Sequence, residues 1–163
     1  MVRRGGPAGP AGNAEAGAPI CPGEQRVHMK PGLRPGAEAS VTVTVTPDML
    51  ATFEELGAVH PLYSTWSMVR HMELASRKII LPYLEPDEDA VGYSISVTHL
   101  APTRSGVRVT ARARLLEIAG PRIICAVEAY NDREKIGEGT QVQVVMPKSR
   151  IRAMLGRTEM PRA

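Results

Sequence analysis

Residues 64–83 read STWSMVRHMELASRKIILPY, a segment that contains no Gly and a single Pro, at position 82. Because a hydroxyl residue before such a segment is a helix N-cap signal, Ser64-Thr65 predict a helix over residues 66–81 that ends near Pro82. Small and apolar residues recur along it at intervals of three and four, as expected when one helix face packs against a core. They are Val69, Met72, Ser76, Ile79, Ile80 and Tyr83, whereas Arg70, His71, Arg77 and Lys78 are expected on the other faces.

Strands are predicted on both sides of this helix. Residues 40–46 alternate strictly between Val and a hydroxyl residue, Ser or Thr, which is typical of a half-exposed strand. Four further strands are predicted at 91–97, 107–117, 122–130 and 134–146. Residues 49–63 contain Gly57 and Pro61, which favour a short helical turn followed by a loop. The order predicts an α+β fold in which the last four strands form an antiparallel meander and one long helix covers one face of the sheet.

One helix cannot cover both faces of a five-stranded sheet. The second face is therefore either polar or covered in an oligomer. A homodimer paired edge to edge through the strand that carries Tyr93 and Ile95 is one arrangement that would complete the sheet.

Composition divides the chain into three parts. Residues 1–36 contain eight Gly and six Pro, and they show no apolar period. Such a segment buries too little surface to offset the entropy lost on ordering, so residues 1–35 are predicted to be a flexible Pro/Gly-rich tail. Residues 36–148 are predicted to form the folded domain, and 149–163 a basic C-terminal segment.

Charge and composition argue against several kinds of partner. The formal charge is +3 and aromatic residues make up 4 % of the chain, so we expect no nucleic-acid partner. No apolar run approaches the roughly 18 residues of a membrane span, so we expect no membrane partner. Cys21 and Cys125 lie in very different contexts and no metal-ligand spacing is present, which favours a reducing, cytoplasmic location and no metal site.

Two ionisable side chains interrupt the apolar pattern. Glu73 falls within the apolar stripe of the predicted helix, and His99 shares the strand parity of Val91 and Val97. Both are therefore expected in the layer between helix and sheet, as a base and its orienting partner or as a nucleophile and a proton carrier. The alternatives are that Glu73 forms an ion pair with an Arg such as Arg108 or Arg112, and that His99 is an ordinary core residue.

Thr65 at the helix start is either a cap or a catalytic hydroxyl. It lies eight residues before Glu73, which is about 12 Å along a regular helix and about 80° around it. The two side chains cannot touch within one straight helix. A site that uses both therefore needs a bridging substrate, an irregular first turn or a second protomer.

Several blocks of the sequence, in order, resemble the hotdog-fold thioesterases of the fluoroacetyl-CoA thioesterase family. They are MVRHMELA at 68–75, PYLEP at 82–86, VG at 91–92, VTHLAPT at 97–103, EAY at 128–130 and KIGEGT at 135–140. The resemblance implies a five-stranded antiparallel sheet wrapped around one long helix, in a homodimer. It also implies hydrolysis of an acyl-CoA or acyl-carrier-protein thioester, without a cofactor other than the coenzyme A of the substrate.

The resemblance also implies roles for individual residues. The catalytic hydroxyl, carboxylate and imidazole of the family fall on Thr65, Glu73 and His99, and its acyl-pocket glycine falls on Gly92. The thioester carbonyl would lie near the helix N-terminus, and Glu73 would either attack it or activate water. The site would lie at the dimer interface, and one arrangement takes Thr65 from one protomer and Glu73 and His99 from the other.

The chain departs from the family at positions expected near the substrate. Gln141-Val142-Gln143 replaces the usual His-Glu-Arg, which places Gln143 among the expected substrate-binding residues. Tyr63 and Trp66 replace smaller residues and are expected to line the acyl pocket. Leu56 and Val59 fall where the fluoroacetyl-specific member has lid phenylalanines, which argues against fluoroacetyl specialisation.

Two other functions remain compatible with the sequence. A non-catalytic protein that binds acyl thioesters would tolerate the altered Gln141-Val142-Gln143 segment. A hotdog enoyl-thioester hydratase or dehydratase would use a Glu/His pair but would leave Thr65 without a part.

Overall fold

The structure is a computed structural model, and it describes residues 28–158. This part of the chain contains seven strands and two α-helices. Their order is β1 (Glu38–Thr44), β2 (Leu50–Phe53), β3 (Gly57–Tyr63), α1 (Thr65–Ile80), β4 (Glu88–His99), β5 (Arg108–Ala119), β6 (Arg122–Tyr130), β7 (Lys135–Pro147) and α2 (Lys148–Thr158). The α+β class predicted from the sequence is confirmed.

An antiparallel five-stranded sheet packs against α1. Its spatial order is β1-β5-β6-β7-β4, so β4 is an edge strand of this sheet. The core lies where the alternating inward residues of β5 and β6 meet the buried face of the helix. Its main contributors are Met68, Met72, Ala75 and Ile80 from α1, and Val109, Leu115, Ile123 and Val127 from the sheet.

The predicted meander is correct only for β5, β6 and β7. β4 does not pair with β5, the next strand in the chain, but pairs with β7 over its whole length. The connection after β4 therefore crosses the sheet to reach β5 beside β1. Alternation along a strand reports which face is buried and carries no information about which strand lies next to it, so the sequence pattern could not reveal this order.

The bounds of α1 agree with the predicted helix to within one residue at each end. Ser64 is its N-cap, and the Ser64 side chain accepts a hydrogen bond from the backbone N–H of Ser67 at 3.2 Å. A short 3₁₀ turn, Leu81–Tyr83, continues the helix axis and contains Pro82. Hydroxyl capping and the proline thus fix the two ends of α1 as the sequence indicates.

His71 lies on the buried side of α1, although the sequence pattern predicts a polar face for it. Its relative exposure is 6 %, and its Nδ1 lies 2.6 Å from Tyr63 Oη in a buried hydrogen bond. Burial lowers the pKa of His71, with a smaller contribution from nearby Arg70, and burial raises the pKa of Tyr63. Tyr63 at the end of β3 supplies the partner that allows this polar ring inside the core.

Residues 50–63 form a β-hairpin, so the predicted loop is wrong there. A 3₁₀ turn at Pro47–Met49 matches the predicted helical turn, but β2 and β3 follow it and pair in a separate two-stranded sheet. Gly57 begins β3 with a φ of 69°. Most residues of the hairpin are exposed. Because neither face is buried, its sequence does not alternate between apolar and polar residues.

The segments that flank the domain contact it. The predicted tail, residues 1–35, lies mainly outside the described residues, but its last part packs on the body through Met29 and Leu33. The backbone N–H of Lys30 donates to Tyr83 O at 2.7 Å. Most of the predicted basic C-terminal segment forms α2. Among residues 28–158, none of the helices has the length and apolar character needed to cross a membrane.

Candidate functional site

Thr65 and His99 form a pair at one end of α1. Thr65 is the first residue of the helix and His99 the last residue of β4, and Thr65 Oγ1 lies 3.1 Å from His99 Nδ1. His99 Nε2 lies 3.1 Å from the Ala101 carbonyl oxygen, which can only accept. The neutral ring therefore carries its proton on Nε2, and Nδ1 accepts the hydrogen bond from the Thr65 hydroxyl.

The environment of His99 keeps its ring neutral. Burial lowers the pKa of His99 below its ordinary value of 6.5, and nearby His60 acts in the same direction, although the Ala101 carbonyl opposes both. A neutral imidazole at pH 7 leaves Nδ1 free to take a proton through Thr65.

Glu73 and Gly92 form a second pair, two helical turns further along α1. The Glu73 carboxylate lies so close to the Gly92 backbone that a Cβ added at Gly92 would collide with Glu73 Oε1. Only glycine leaves room for this approach. Among residues 28–158, no hydrogen bond or salt bridge joins the carboxylate to another group. Its oxygens are thus available to a substrate or a water molecule.

The alternative partners considered for Glu73 lie elsewhere. Arg108 and Arg112 point to the face of the sheet opposite α1, because the alternate residues Val109 and Ala111 are the buried ones. The Arg112 guanidinium lies over the Tyr130 ring, 5.2 Å from its centroid. A structural ion pair therefore does not account for the carboxylate on the helix.

The two pairs lie apart within one chain. Along α1 the residue numbers rise from Thr65 to Glu73, and along β4 they fall from His99 to Gly92, so the helix and the strand run antiparallel. Eight residues of regular helix separate Thr65 from Glu73 by about 12 Å along the axis. The structure brings together Thr65 with His99 and Glu73 with Gly92. Within one chain Glu73 is paired with neither Thr65 nor His99, so the predicted Glu73–His99 pair is wrong for a single chain.

A cavity of about 400 Å³ opens beside Thr65 and His99. Much of its wall is apolar and comes from the β2–β3 hairpin and from the start of α1. Phe53 and Trp66 form an edge-to-face pair there, with ring centroids 5.1 Å apart, and they are 48 % and 43 % exposed. Tyr63 also belongs to the wall, but its hydroxyl is turned toward His71.

Sequence reasoning missed the part of the wall that β2 and β3 supply. Phe53 and Leu62 line the cavity from these two strands. The one available signal is the isolated aromatic residue Phe53, the single Phe of the chain, within an otherwise polar segment.

Gln143 lies in the layer beneath α1 instead of in the cavity. It is fully buried on β7, directly opposite Gly92 in the register, and its Nε2 donates a hydrogen bond to the backbone carbonyl of Glu73 at 3.3 Å. Of the expected substrate-binding residues, Trp66 and Tyr63 therefore line the cavity, while Gly92 and Gln143 surround Glu73.

Known proteins resemble this chain over most of the described domain. Residues 45–149 match the family described as fluoroacetyl-CoA-specific thioesterase. The fluoroacetyl-CoA thioesterase of Streptantibioticus cattleyicolor is 33 % identical over 123 residues, which cover 72 % of this chain and 88 % of that protein. A thioesterase superfamily member from Thermus thermophilus is 45 % identical with a TM-score of 0.77, over 79 % of this chain and 95 % of the other.

A mutant fluoroacetyl-CoA thioesterase solved in complex with acetyl-CoA is 29 % identical with a TM-score of 0.73. The likeness covers 78 % of this chain and 99 % of that chain. These neighbours have the hotdog fold, in which an antiparallel sheet curls around one long helix, as the described part of this chain does.

Proposed function

Because this chain belongs to the fluoroacetyl-CoA-specific thioesterase family, we propose that it hydrolyses an acyl-CoA thioester at a site containing Thr65, Glu73 and His99. The observation that carries the proposal is the Thr65–His99 hydrogen bond at the edge of an open cavity, at the N-terminus of α1. An acyl-carrier-protein thioester would present the same reacting group and is an alternative substrate.

The N-terminus of α1 suits the chemistry of thioester cleavage. The first backbone N–H groups of a helix have no partner within the helix, and the helix dipole places positive charge there. A thioester carbonyl held beside Thr65 and Trp66 would have these groups available to stabilise the oxyanion that develops during attack. Ser64 already satisfies the N–H of Ser67, so the amides of Thr65 and Trp66 are the ones proposed for this role.

Glu73 supplies the attacking step in this proposal. Its carboxylate either attacks the carbonyl carbon, giving an anhydride that water then hydrolyses, or removes a proton from a water that attacks directly. In both cases the C–S bond breaks and coenzyme A leaves as a thiolate. The proton lost by the attacking water, taken up by Glu73 or by His99 Nδ1 through Thr65, then passes to that thiolate, so the products are a carboxylic acid and free coenzyme A. Both routes require Glu73 to reach the carbonyl held beside Thr65.

A second copy of the chain would bring Glu73 and the Thr65–His99 pair together. β4 is the edge strand of the five-stranded sheet and carries both Gly92 and His99. If two copies pair antiparallel along β4 about a twofold axis near Ile95 or Ser96, Gly92 of one copy lies opposite the partner's His99. Glu73, which rests on Gly92, is then next to the partner's Thr65–His99 pair. We therefore propose a homodimer with two shared sites.

The cavity favours an acyl group larger than two carbons. A closed apolar cavity of roughly 150 Å³ holds a benzene ring, so the open space of about 400 Å³ beside Thr65 in one chain has room for an acyl group of that size. Leu56 and Val59 are exposed on the hairpin and supply no aromatic cover. The edges of Phe53 and Trp66 instead suit a branched or aromatic acyl group.

The experiment that tests the function is thiol release from a panel of acyl-CoA thioesters with fluoroacetyl, acetyl, isovaleryl and phenylacetyl groups. We expect turnover, with a kcat/KM for the branched or aromatic thioester above that for fluoroacetyl-CoA. Highest kcat/KM for fluoroacetyl-CoA would contradict the proposed acyl class. Tight binding of the CoA thioesters without any release of thiol would identify a binding protein instead of an enzyme.

The pH dependence of hydrolysis should follow His99. Because burial holds the pKa of His99 below 6.5, the ring is neutral at pH 7, and it becomes protonated only as the pH falls further. Protonation removes the acceptor at Nδ1, so we expect kcat/KM to be constant from pH 7 to 8 and to decline below pH 6.5. His99→Gln, which cannot titrate, should be slower and should lose this decline. A rate that increases as the pH falls below 6.5 would argue against this role.

A further inference from the structure

Two buried carboxamides lie side by side on β7 under α1. Gln141 and Gln143 are 2 % and 0 % exposed, and they face the helix because Cys125 and Ile123, their partners in the β6–β7 register, are buried in the core. In each of them Oε1 is buried and has no hydrogen-bond partner among the described residues. Both positions thus hold a polar group where the core offers incomplete hydrogen bonding.

The orphaned oxygen of each amide has a cost in stability. A buried acceptor without a partner destabilises the fold, and an apolar side chain of similar shape removes that penalty. A leucine at either position would pack in the same layer without an orphaned oxygen. Both glutamines share this cost, so a role for one of them has to be argued from the partner that its Nε2 group binds.

The two amides differ in what their Nε2 groups bind. Gln141 Nε2 donates to the carbonyl of Val142, its own neighbour, at 3.2 Å. Gln143 Nε2 donates instead to the backbone carbonyl of Glu73, 70 positions away in the sequence. This bond connects β7 to the turn of α1 that carries the candidate carboxylate.

Gln143 also borders the surface on which that carboxylate rests. In the β4–β7 register it lies opposite Gly92, and the Glu73 carboxylate is packed against the Gly92 backbone. Glu73 is therefore fixed from two directions, at its main chain by Gln143 and at its side chain by Gly92.

We propose that Gln143 is a positioning residue, which holds the Glu73 turn of α1 in register with Gly92 and so sets where the carboxylate meets the substrate. It acts through Glu73 and has no contact with the substrate itself. The proposal rests on the proposed thioesterase function. It gives Gln143 a role for which Gln141, with the same side chain on the same face, is a matched control.

The test compares Gln143→Leu with Gln141→Leu. We expect both variants to have melting temperatures equal to or above that of the unmodified protein, since each loses an orphaned acceptor. Gln143→Leu should lower kcat by about 10- to 100-fold with KM changed less than about twofold, because a displaced group costs rate and not ground-state binding. Gln141→Leu should stay within about twofold of the unmodified kcat. If Gln143→Leu does not fold, Gln143→Met serves in its place.

Other results would overturn the proposal. An unchanged kcat in Gln143→Leu, or an equal loss in both variants, would make the two amides structurally equivalent. A raised KM with kcat unchanged would mean that Gln143 binds substrate directly.

Amide hydrogen exchange provides a readout that does not depend on activity. Backbone amides at residues 73–77 should exchange faster in Gln143→Leu than in Gln141→Leu, and equal exchange in the two variants would contradict the proposal. If no thioester is hydrolysed by the unmodified protein, the proposed function fails, while the exchange experiment still decides whether Gln143 fixes this turn.

Discussion

Glu73→Gln should lower kcat for thioester hydrolysis by at least about 1000-fold while leaving the fold intact. Gln has the shape of Glu but can neither attack a carbonyl nor take a proton from water. The carboxylate makes no hydrogen bond or salt bridge with other described residues, so its replacement removes no structural contact of that kind. The measurement is thiol release under saturating substrate, alongside a thermal unfolding curve.

Glu117→Gln is the matched control for this substitution. Glu117 is an exposed carboxylate on β5, and the same change of charge there should leave kcat within about twofold. A Glu73→Gln variant that retains a tenth or more of the unmodified kcat would exclude Glu73 as nucleophile or base. Retained affinity for the CoA thioester in this variant would separate loss of chemistry from loss of binding.

Gly92→Ala should lower kcat by about 100-fold with little change in stability. The Gly92 backbone does not adopt a positive φ, so alanine fits its conformation, but the new Cβ would collide with Glu73 Oε1. That atom is the far end of a flexible side chain, so the carboxylate moves aside and the backbone does not. Kinetics and a melting temperature measured on one preparation test both parts of this expectation.

Gly139→Ala provides the contrast, since the same substitution meets a different obstacle. A Cβ at Gly139 would collide with the backbone carbonyl oxygen of Ser96 on β4. Backbone in a paired strand cannot move aside as a side chain does, so we expect a loss of roughly 1–3 kcal/mol in the free energy of unfolding. If Gly92→Ala instead destabilises the protein as much as Gly139→Ala and kcat per folded molecule is unchanged, then Gly92 has no part in placing Glu73.

The sequence predicts the helix and the strands of the main sheet well because burial imposes a period on them. The apolar stripe of α1 and the alternation in β5 are direct records of one buried face. The sequence of the β2–β3 hairpin shows no such period, because both of its faces are largely exposed. The order of the strands in the sheet cannot be predicted from local sequence either, since nothing in β4 itself specifies β7 as its neighbour.

The candidate site could be predicted from the sequence where an ionisable residue stands at a position that the periodic pattern assigns to the core. Glu73 falls within the stripe predicted from the sequence and His99 continues an inward parity, so both stand out in the amino-acid sequence itself. In the structure Glu73 is half-buried and lies beside the buried residues of α1 instead of among them. His71 is buried although its spacing predicts a polar face, because the Tyr63 hydroxyl that satisfies it comes from a strand that the sequence pattern does not reveal. The hydrogen bond from Gln143 to the Glu73 carbonyl depends on three-dimensional register, which spacing along the chain does not reveal either.

In the proposed dimer, Glu73 of one protomer acts with Thr65 and His99 of its partner. The two pairs are separated within a chain, and pairing of two copies along β4 would unite them. The most direct test is co-expression of Glu73→Gln and His99→Ala chains with different affinity tags, followed by purification of the species that carries both tags.

In that mixed dimer one site would contain both substitutions and the other would contain neither. A shared site therefore predicts about half of the unmodified activity in the mixed dimer, well above the activity of either single-variant homodimer. If Glu73 and His99 act within the same protomer, each site of the mixed dimer contains one of the two substitutions, and the mixed dimer is no more active than the two homodimers. An inactive mixed dimer, or the absence of any species that carries both tags, would rule out the shared site.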